Sequence, residues 1–208
     1  MTLSYLFISL FLCLLALKSN ALFERSKAIT RVISPIIAIN QFKNSNYLSL
    51  LLFYSSLSQR SRDFENDYIT FAEENKSLYR FFALDCDALQ DTDKQVFSIC
   101  HEASTEDFPI LIAFEPYYQT AEEKRIIDHI YTGSADIDSL KEFTEKYMPS
   151  FLKSIFDKGE LQTFINDSET VNKILLFIED NEIPPTFKAL ASEFHGVFGV
   201  NLFLLKIP

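Results

Sequence analysis

One stretch constrains the chain more than any other: Leu50-Leu51-Leu52-Phe53-Tyr54-Ser55-Ser56-Leu57-Ser58-Gln59-Arg60-Ser61-Arg62-Asp63-Phe64. An apolar, aromatic-rich run reads as a buried strand, and this one breaks into a small polar turn. Beyond the turn, Phe64, Tyr68, Phe71 and Ala72 recur at helical spacing. The segment is therefore a strand, a turn and a helix N-terminus. Where thiols occupy such a turn, the helix N-terminus lowers their pKa and exposes a thiolate. Here those two positions hold Ser58 and Ser61.

The stretch resembles the active-site segment of the protein disulfide isomerase family, whose pattern is Phe-Tyr-Ala-Pro-Trp-Cys-Gly-His-Cys-Lys. Residues Phe53, Tyr54, Ser55, Ser56, Leu57, Ser58, Gln59, Arg60, Ser61 and Arg62 fall on it in register. The family also places a buried acid two residues before the tyrosine, as a proton acceptor for the resolving thiol. Leu52 stands there in this chain. A hydroxyl is not appreciably ionised near neutral pH and cannot form a disulfide, so neither thiol exchange nor its proton relay can run at Ser58-Gln59-Arg60-Ser61.

The N-terminus carries an address. Residues 5–17 are apolar and are followed by Lys18-Ser19-Asn20-Ala21, with small residues three and one before a possible cut after Ala21. This reads as a secretory signal peptide; its apolar stretch is shorter than the roughly 20 residues that span a bilayer, which makes an uncleaved anchor the lesser reading. Removing residues 1–21 takes away one lysine and no acid, so the net charge moves from −10 to −11. An acidic surface argues against nucleic acid and anionic membranes as partners.

Cleavage would also remove Cys13 and leave Cys86 and Cys100. An even pair in a secreted chain is read first as a disulfide, with two buried free thiols as the alternative. Cys86 closes the apolar run Phe81-Phe82-Ala83-Leu84, and Cys100 lies on a helix predicted to begin near a Thr92/Gln95 capping box. Members of the resembled family carry a structural disulfide between these two elements, and the resemblance implies a Cys86–Cys100 bridge. It also implies that Phe108-Pro109, just ahead of the apolar run Ile110–Phe114, is a cis bond beside the helix start, with backbone open to an extended peptide. Without the resemblance, Pro109 is equally a trans proline opening an edge strand.

The pattern continues with a strand over Ile126–Tyr131, the triplet Tyr131-Thr132-Gly133, and a helix with Ile137, Leu140, Phe143 and Tyr147 inward. Met148-Pro149-Ser150 makes a boundary. A short helix over Lys158–Ile165, a strand over Ile174–Ile178, a helix opened by Pro184-Pro185 and an apolar strand over Val197–Leu205 follow. This second run repeats the front half of the first and contains no cysteine. The expected organisation is a signal peptide (1–21), a basic, ill-ordered lead (22–34), a thioredoxin-like domain (35–150) and a partial second thioredoxin-like domain (151–208). The expected class is α/β, a thioredoxin-like central mixed sheet flanked by helices.

Other chemistry has little to stand on. Four glycines in 208 residues leave no phosphate-cradling loop. His101, His129 and His195 lie in separate elements without ligand spacing for a metal, no cofactor is expected, and no Gly-x-Ser-x-Gly elbow surrounds Ser58. Asn75-Lys76-Ser77 and Asn166-Asp167-Ser168 are glycosylation sequons. The resemblance implies a protein of the endoplasmic reticulum lumen, or a secreted one, that is not an enzyme. Its partner would be unfolded client polypeptide, or one dedicated protein, at a surface built from Leu57, Phe108 and Pro109. An inert N-terminal part of a longer oxidoreductase and a structural spacer are the other two readings.

Overall fold

The structure, a computed structural model, describes residues 22–43, 45–89, 98–116, 128–134, 136–166, 172–178, 183–194 and 200–206. The expected signal peptide, the Thr92/Gln95 capping box and His195 lie outside the described residues.

The strand read first from the sequence is the middle of a five-stranded sheet. It is β2 (Ser49–Tyr54), flanked on one side by β3 (Arg80–Asp85) and then β1 (Ile29–Val32), both parallel to their neighbours. On its other side run β4 (Ile110–Phe114) and β5 (Asp128–Ile130), each antiparallel to the strand before it. Every residue of β2 is buried, which is why its sequence is a near-continuous apolar run rather than an alternating one. The period-two alternation persists underneath. Leu50, Leu52 and Tyr54 enter one core layer, and Leu51 and Phe53 enter the other.

The first layer is closed by α2 (Gln59–Asn75) and α4 (Ile137–Tyr147), which contribute Phe64, Tyr68, Phe71, Ala72 and Leu140. Tyr68 is fully buried and its hydroxyl donates to the carbonyls of Leu50 and Phe82, both at 3.2 Å, so a polar tip is satisfied inside an apolar layer. The second layer is closed by α1 (Pro35–Lys43) through Ala38 and by α3 (Ser98–Glu102) through Cys100.

A second, three-stranded sheet follows, with β6 (Lys153–Ile155), β8 (Val200–Lys206) and β7 (Asn172–Ile178) in that spatial order and all parallel. Helices α5 (Lys158–Asn166) and α6 (Pro185–Glu193) connect them. The order β6-β8-β7 reproduces β1-β3-β2 of the first sheet, element for element. The half-repeat read from residues 151–208 is thus the front βαβαβ of the same topology.

One expectation is corrected. Residues 22–34 are not an ill-ordered lead: Ile29–Val32 pairs along β3 from Ile29↔Phe81 to Val32↔Leu84, and Leu22 and Phe23 are buried. Four residues of strand with a buried-exposed-exposed-buried pattern lack the alternation by which a strand is recognised. Met148-Pro149-Ser150 lies between α4 and β6, and Met148 and Ala189 of α6 both belong to the first core layer. The Ser192 hydroxyl donates to the Asn46 carbonyl, and the Asn46 amide donates to the Glu193 carbonyl at 3.4 Å.

Candidate functional site

Because β2 and β3 run parallel and end at the same edge, with Tyr54 opposite Asp85, the residues just past each strand are neighbours. Asp87 uses this. Its Oδ2 accepts from the hydroxyls of Ser55 (2.8 Å) and Ser56 (3.1 Å) and from the Leu57 N–H (3.3 Å), clasping the turn from below. The Asp87 N–H in turn donates to Asp85 Oδ1 at 3.0 Å, and burial raises the Asp85 carboxyl above its ordinary pKa. Sequence reading missed Asp87; the parallel register of two strands ending in polar turns is the signal that points to it.

Ser58 is the N-cap of α2. Its Oγ accepts from the Ser61 N–H at 3.3 Å and donates to the Phe108 carbonyl at 3.1 Å, while its own N–H closes the turn onto the Ser55 carbonyl at 3.1 Å. A serine at this position satisfies an orphan donor of the helix N-terminus. Ser61 is completely buried, and its Oγ has no hydrogen-bond partner. The two hydroxyls therefore sit where a dithiol would, one in use and one idle. Arg60 extends across the site to donate to the Glu106 carbonyl at 2.9 Å, and Arg62 folds back onto the Ser56 carbonyl at 2.7 Å.

The Phe108-Pro109 peptide bond is cis. The Phe108 ring is buried in the second core layer with Cys86 and Cys100, and its carbonyl is occupied by Ser58. The Phe108 side chain is thus part of the scaffold beneath the site. Leu57 is 70% exposed at the tip of the turn.

Beside Pro109 lies a groove of about 670 Å³ between the first turns of α2, the start of β4 and the residues after β5. Its apolar lining includes Leu52, at the position of the family's proton acceptor, with Phe64, Pro109 and Ile130. Its charged lining is mixed, Arg60 with Asp63, Asp67 and Asp107. Gly133 forms one wall, and a Cβ there would meet the Tyr131 ring at 2.5–2.6 Å, so glycine lets Tyr131 fold over the end of the groove. Chemically, the place offers apolar area, a cation and three carboxylates. It holds no thiol.

Cys86 and Cys100 are joined by a disulfide with a Cα–Cα distance of 5.2 Å, in the second core layer. Asn75, the last residue of α2, donates its side-chain amide to the Phe71 carbonyl at 2.8 Å, whereas Asn166 is exposed at the end of α5. His129 pairs with Glu115 at 2.7 Å and stacks on Tyr147, and His101 is exposed on α3. No group of three or more metal-ligating side chains occurs among the described residues, and no described helix is long and apolar enough to cross a membrane.

Fold and motif frame define the first unit as a thioredoxin-like domain of the kind found in protein disulfide isomerases, with serine at both sulfur positions. Comparison with known proteins agrees. The chain is 25% identical over 149 residues to a thioredoxin domain-containing protein of Schizosaccharomyces pombe described as mitochondrial, a match covering 72% of this chain and 39% of that protein. It is 20% identical over 166 residues to the protein disulfide-isomerase MPD1 of Saccharomyces cerevisiae, covering 74% of this chain and 50% of that one. The chain thus spans half or less of the length of these curated relatives. Among solved structures, form II of ERdj5 superposes with a TM-score of 0.54 at 19% identity over 88% of this chain and 23% of ERdj5, a likeness of fold. No protein-family model matches the chain.

Proposed function

We propose that the protein is a redox-inactive, disulfide-isomerase-like binder of extended polypeptide, either unfolded clients or one dedicated partner. The observation that carries this reading is the groove of about 670 Å³ beside Pro109, apolar where an isomerase carries an acid and without its thiols. Leu52 makes apolar a position where an isomerase needs an acid, and Ser58 and Ser61 remove both sulfurs. Extended peptide suits a site with apolar lining and a mixed-charge wall, and the exposed Leu57 lies on the turn that precedes Arg60. The leader-like residues 1–21 and the relation to a protein disulfide-isomerase favour the endoplasmic reticulum lumen or secretion; one relative is described as mitochondrial, and an epitope-tagged chain followed by microscopy decides between the compartments.

The test is a pair of assays on the protein purified after leader removal. Reduction of insulin in the presence of dithiothreitol is expected at the uncatalysed rate, and turnover would overturn the inactive reading. Binding of a thiol-free unfolded polypeptide is expected to be saturable and weakened by Arg60→Glu, which reverses the groove's cation. A second reading has its own support: the chain spans 39% and 50% of its relatives, so it can be the inert portion of a longer oxidoreductase. A full-length transcript encoding a downstream Cys-x-x-Cys would establish that alternative.

A further inference from the structure

Phe23 is the one described non-glycine residue with positive φ, at 66°, a conformation that a bulky side chain adopts only where its surroundings hold it. Those surroundings are specific. The Phe23 ring is completely buried, packed edge-on against Tyr54 at 4.9 Å and Tyr68 at 5.8 Å, in the layer beneath the strand–turn–helix segment. Its N–H donates to Glu65 Oε1 at 2.7 Å, and the carbonyl of the preceding Leu22 accepts from the Tyr54 hydroxyl at 3.5 Å. Leu22 itself is only 9% exposed. These anchored residues begin one position after Ala21, where Ser19 and Ala21 supply the small side chains that a signal-peptidase-class enzyme requires.

We infer that the Ala21–Leu22 peptide bond is hydrolysed and that the new amino terminus, Leu22-Phe23, is a built part of the domain, its ammonium paired with Glu65. In that step water adds across the C–N bond, leaving a carboxylate on Ala21 of the released leader and an amine on Leu22, which takes up a proton near neutral pH. Backbone geometry puts the Leu22 nitrogen within about 7 Å of Glu65 Oε1, since successive backbone nitrogens are at most about 3.7 Å apart. Cleavage thus turns a neutral amide into a cation beside a half-buried carboxylate. Removing the leader adds an interaction that the precursor lacks.

The charged and titratable groups around this terminus include Glu65 on α2, Glu24 in the same segment with its partner Arg31 on β1 at 2.5 Å, Tyr54 on β2, whose phenol burial pushes up to about 12, and Tyr68 on α2, whose phenol burial also raises. The ordinary pKa of an α-ammonium is about 7.7–8.0. Pairing raises that pKa in the folded state. Its contribution is therefore complete below about pH 7.7 and is lost as pH rises through the folded value.

The experiment expresses the full chain in a secreting eukaryotic host and measures the mass of the mature protein. A first residue of Leu22 is expected; retention of residues 1–21 or a different first residue overturns the assignment. Thermal melts then compare the mature protein with Glu65→Gln, which keeps an oxygen acceptor for the Phe23 N–H and removes the charge. The variant is expected to melt about 1–3 °C lower at pH 6.5, with the gap closing by pH 9.5. An equal gap at both pH values overturns the ammonium pairing. Should the variant not be secreted, acetylation rates of the α-amine in native and denatured mature protein decide the same point: slower native reaction is expected, and equal rates overturn it.

Discussion

Ser58 and Ser61 differ in what their hydroxyls do, and the difference is measurable. Ser58 caps α2 and bonds the Phe108 carbonyl, so Ser58→Ala is expected to lower unfolding free energy by about 1–2 kcal/mol in a urea titration. Ser61 buries a hydroxyl without a partner, so Ser61→Ala is expected to be neutral or stabilising in the same titration. Two exposed carboxylates add a pH signature. Asp107 is held below its ordinary pKa by the hydroxyl and N–H of Ser104, and Asp136 by the Ser134 and Ser139 hydroxyls together with the Ser139 N–H. A lowered carboxyl stabilises above its unfolded value near 3.9, and that stability disappears as pH falls through the lower folded value. Denaturant midpoints are accordingly expected to be flat above about pH 5 and to drop below about pH 4; Asp136→Asn, which removes the charge, should shrink the drop. At this scale the sequence disclosed Ser58, Ser61, Leu52 and Pro109, because a motif frame fixes position. Asp87 and Glu65 stayed hidden because each acts through a partner about 30 or more residues away, Ser56 for one and the Phe23 N–H for the other.

Among the elements, β2, α2, β3, β4 and α4 were legible because each is long enough for its period to show. Strands β1 and β6 were not: they have four and three residues, and pairing rather than pattern makes them strands. The consequence for β1 is testable. A chain lacking residues 22–34 loses an edge strand and the buried Phe23 ring, and is expected to be less soluble and to melt lower than the intact mature protein, whereas an ordinary disordered lead could be removed without effect. The disulfide belongs to the same scale. It ties the end of β3 to α3 across a sequence separation of 14 residues, and the paired change Cys86→Ala with Cys100→Ala is expected to cost about 3 kcal/mol by chemical denaturation in the chain-entropy account. Insulin reduction should be unchanged by that pair, since neither cysteine lines the groove.

For the whole molecule, the sequence conveyed the α/β class and the half-repeat, but not how closely the second unit leans on the first. Ala189 enters the first core layer and Ser192 bonds the Asn46 carbonyl, contacts that no local pattern encodes. The proposed function at this scale rests on a thioredoxin-like scaffold with a groove and no thiol at Ser58 or Ser61. The most direct measurement is a fluorescence anisotropy titration of labelled, reduced and carboxymethylated α-lactalbumin, which has neither thiol nor disulfide and stays unfolded. Saturable binding is expected, weakened at least about tenfold by Leu57→Asp with an unchanged melting temperature. Absence of binding, or binding indifferent to Leu57 and to Arg60→Glu, would contradict a polypeptide-binding role for this site.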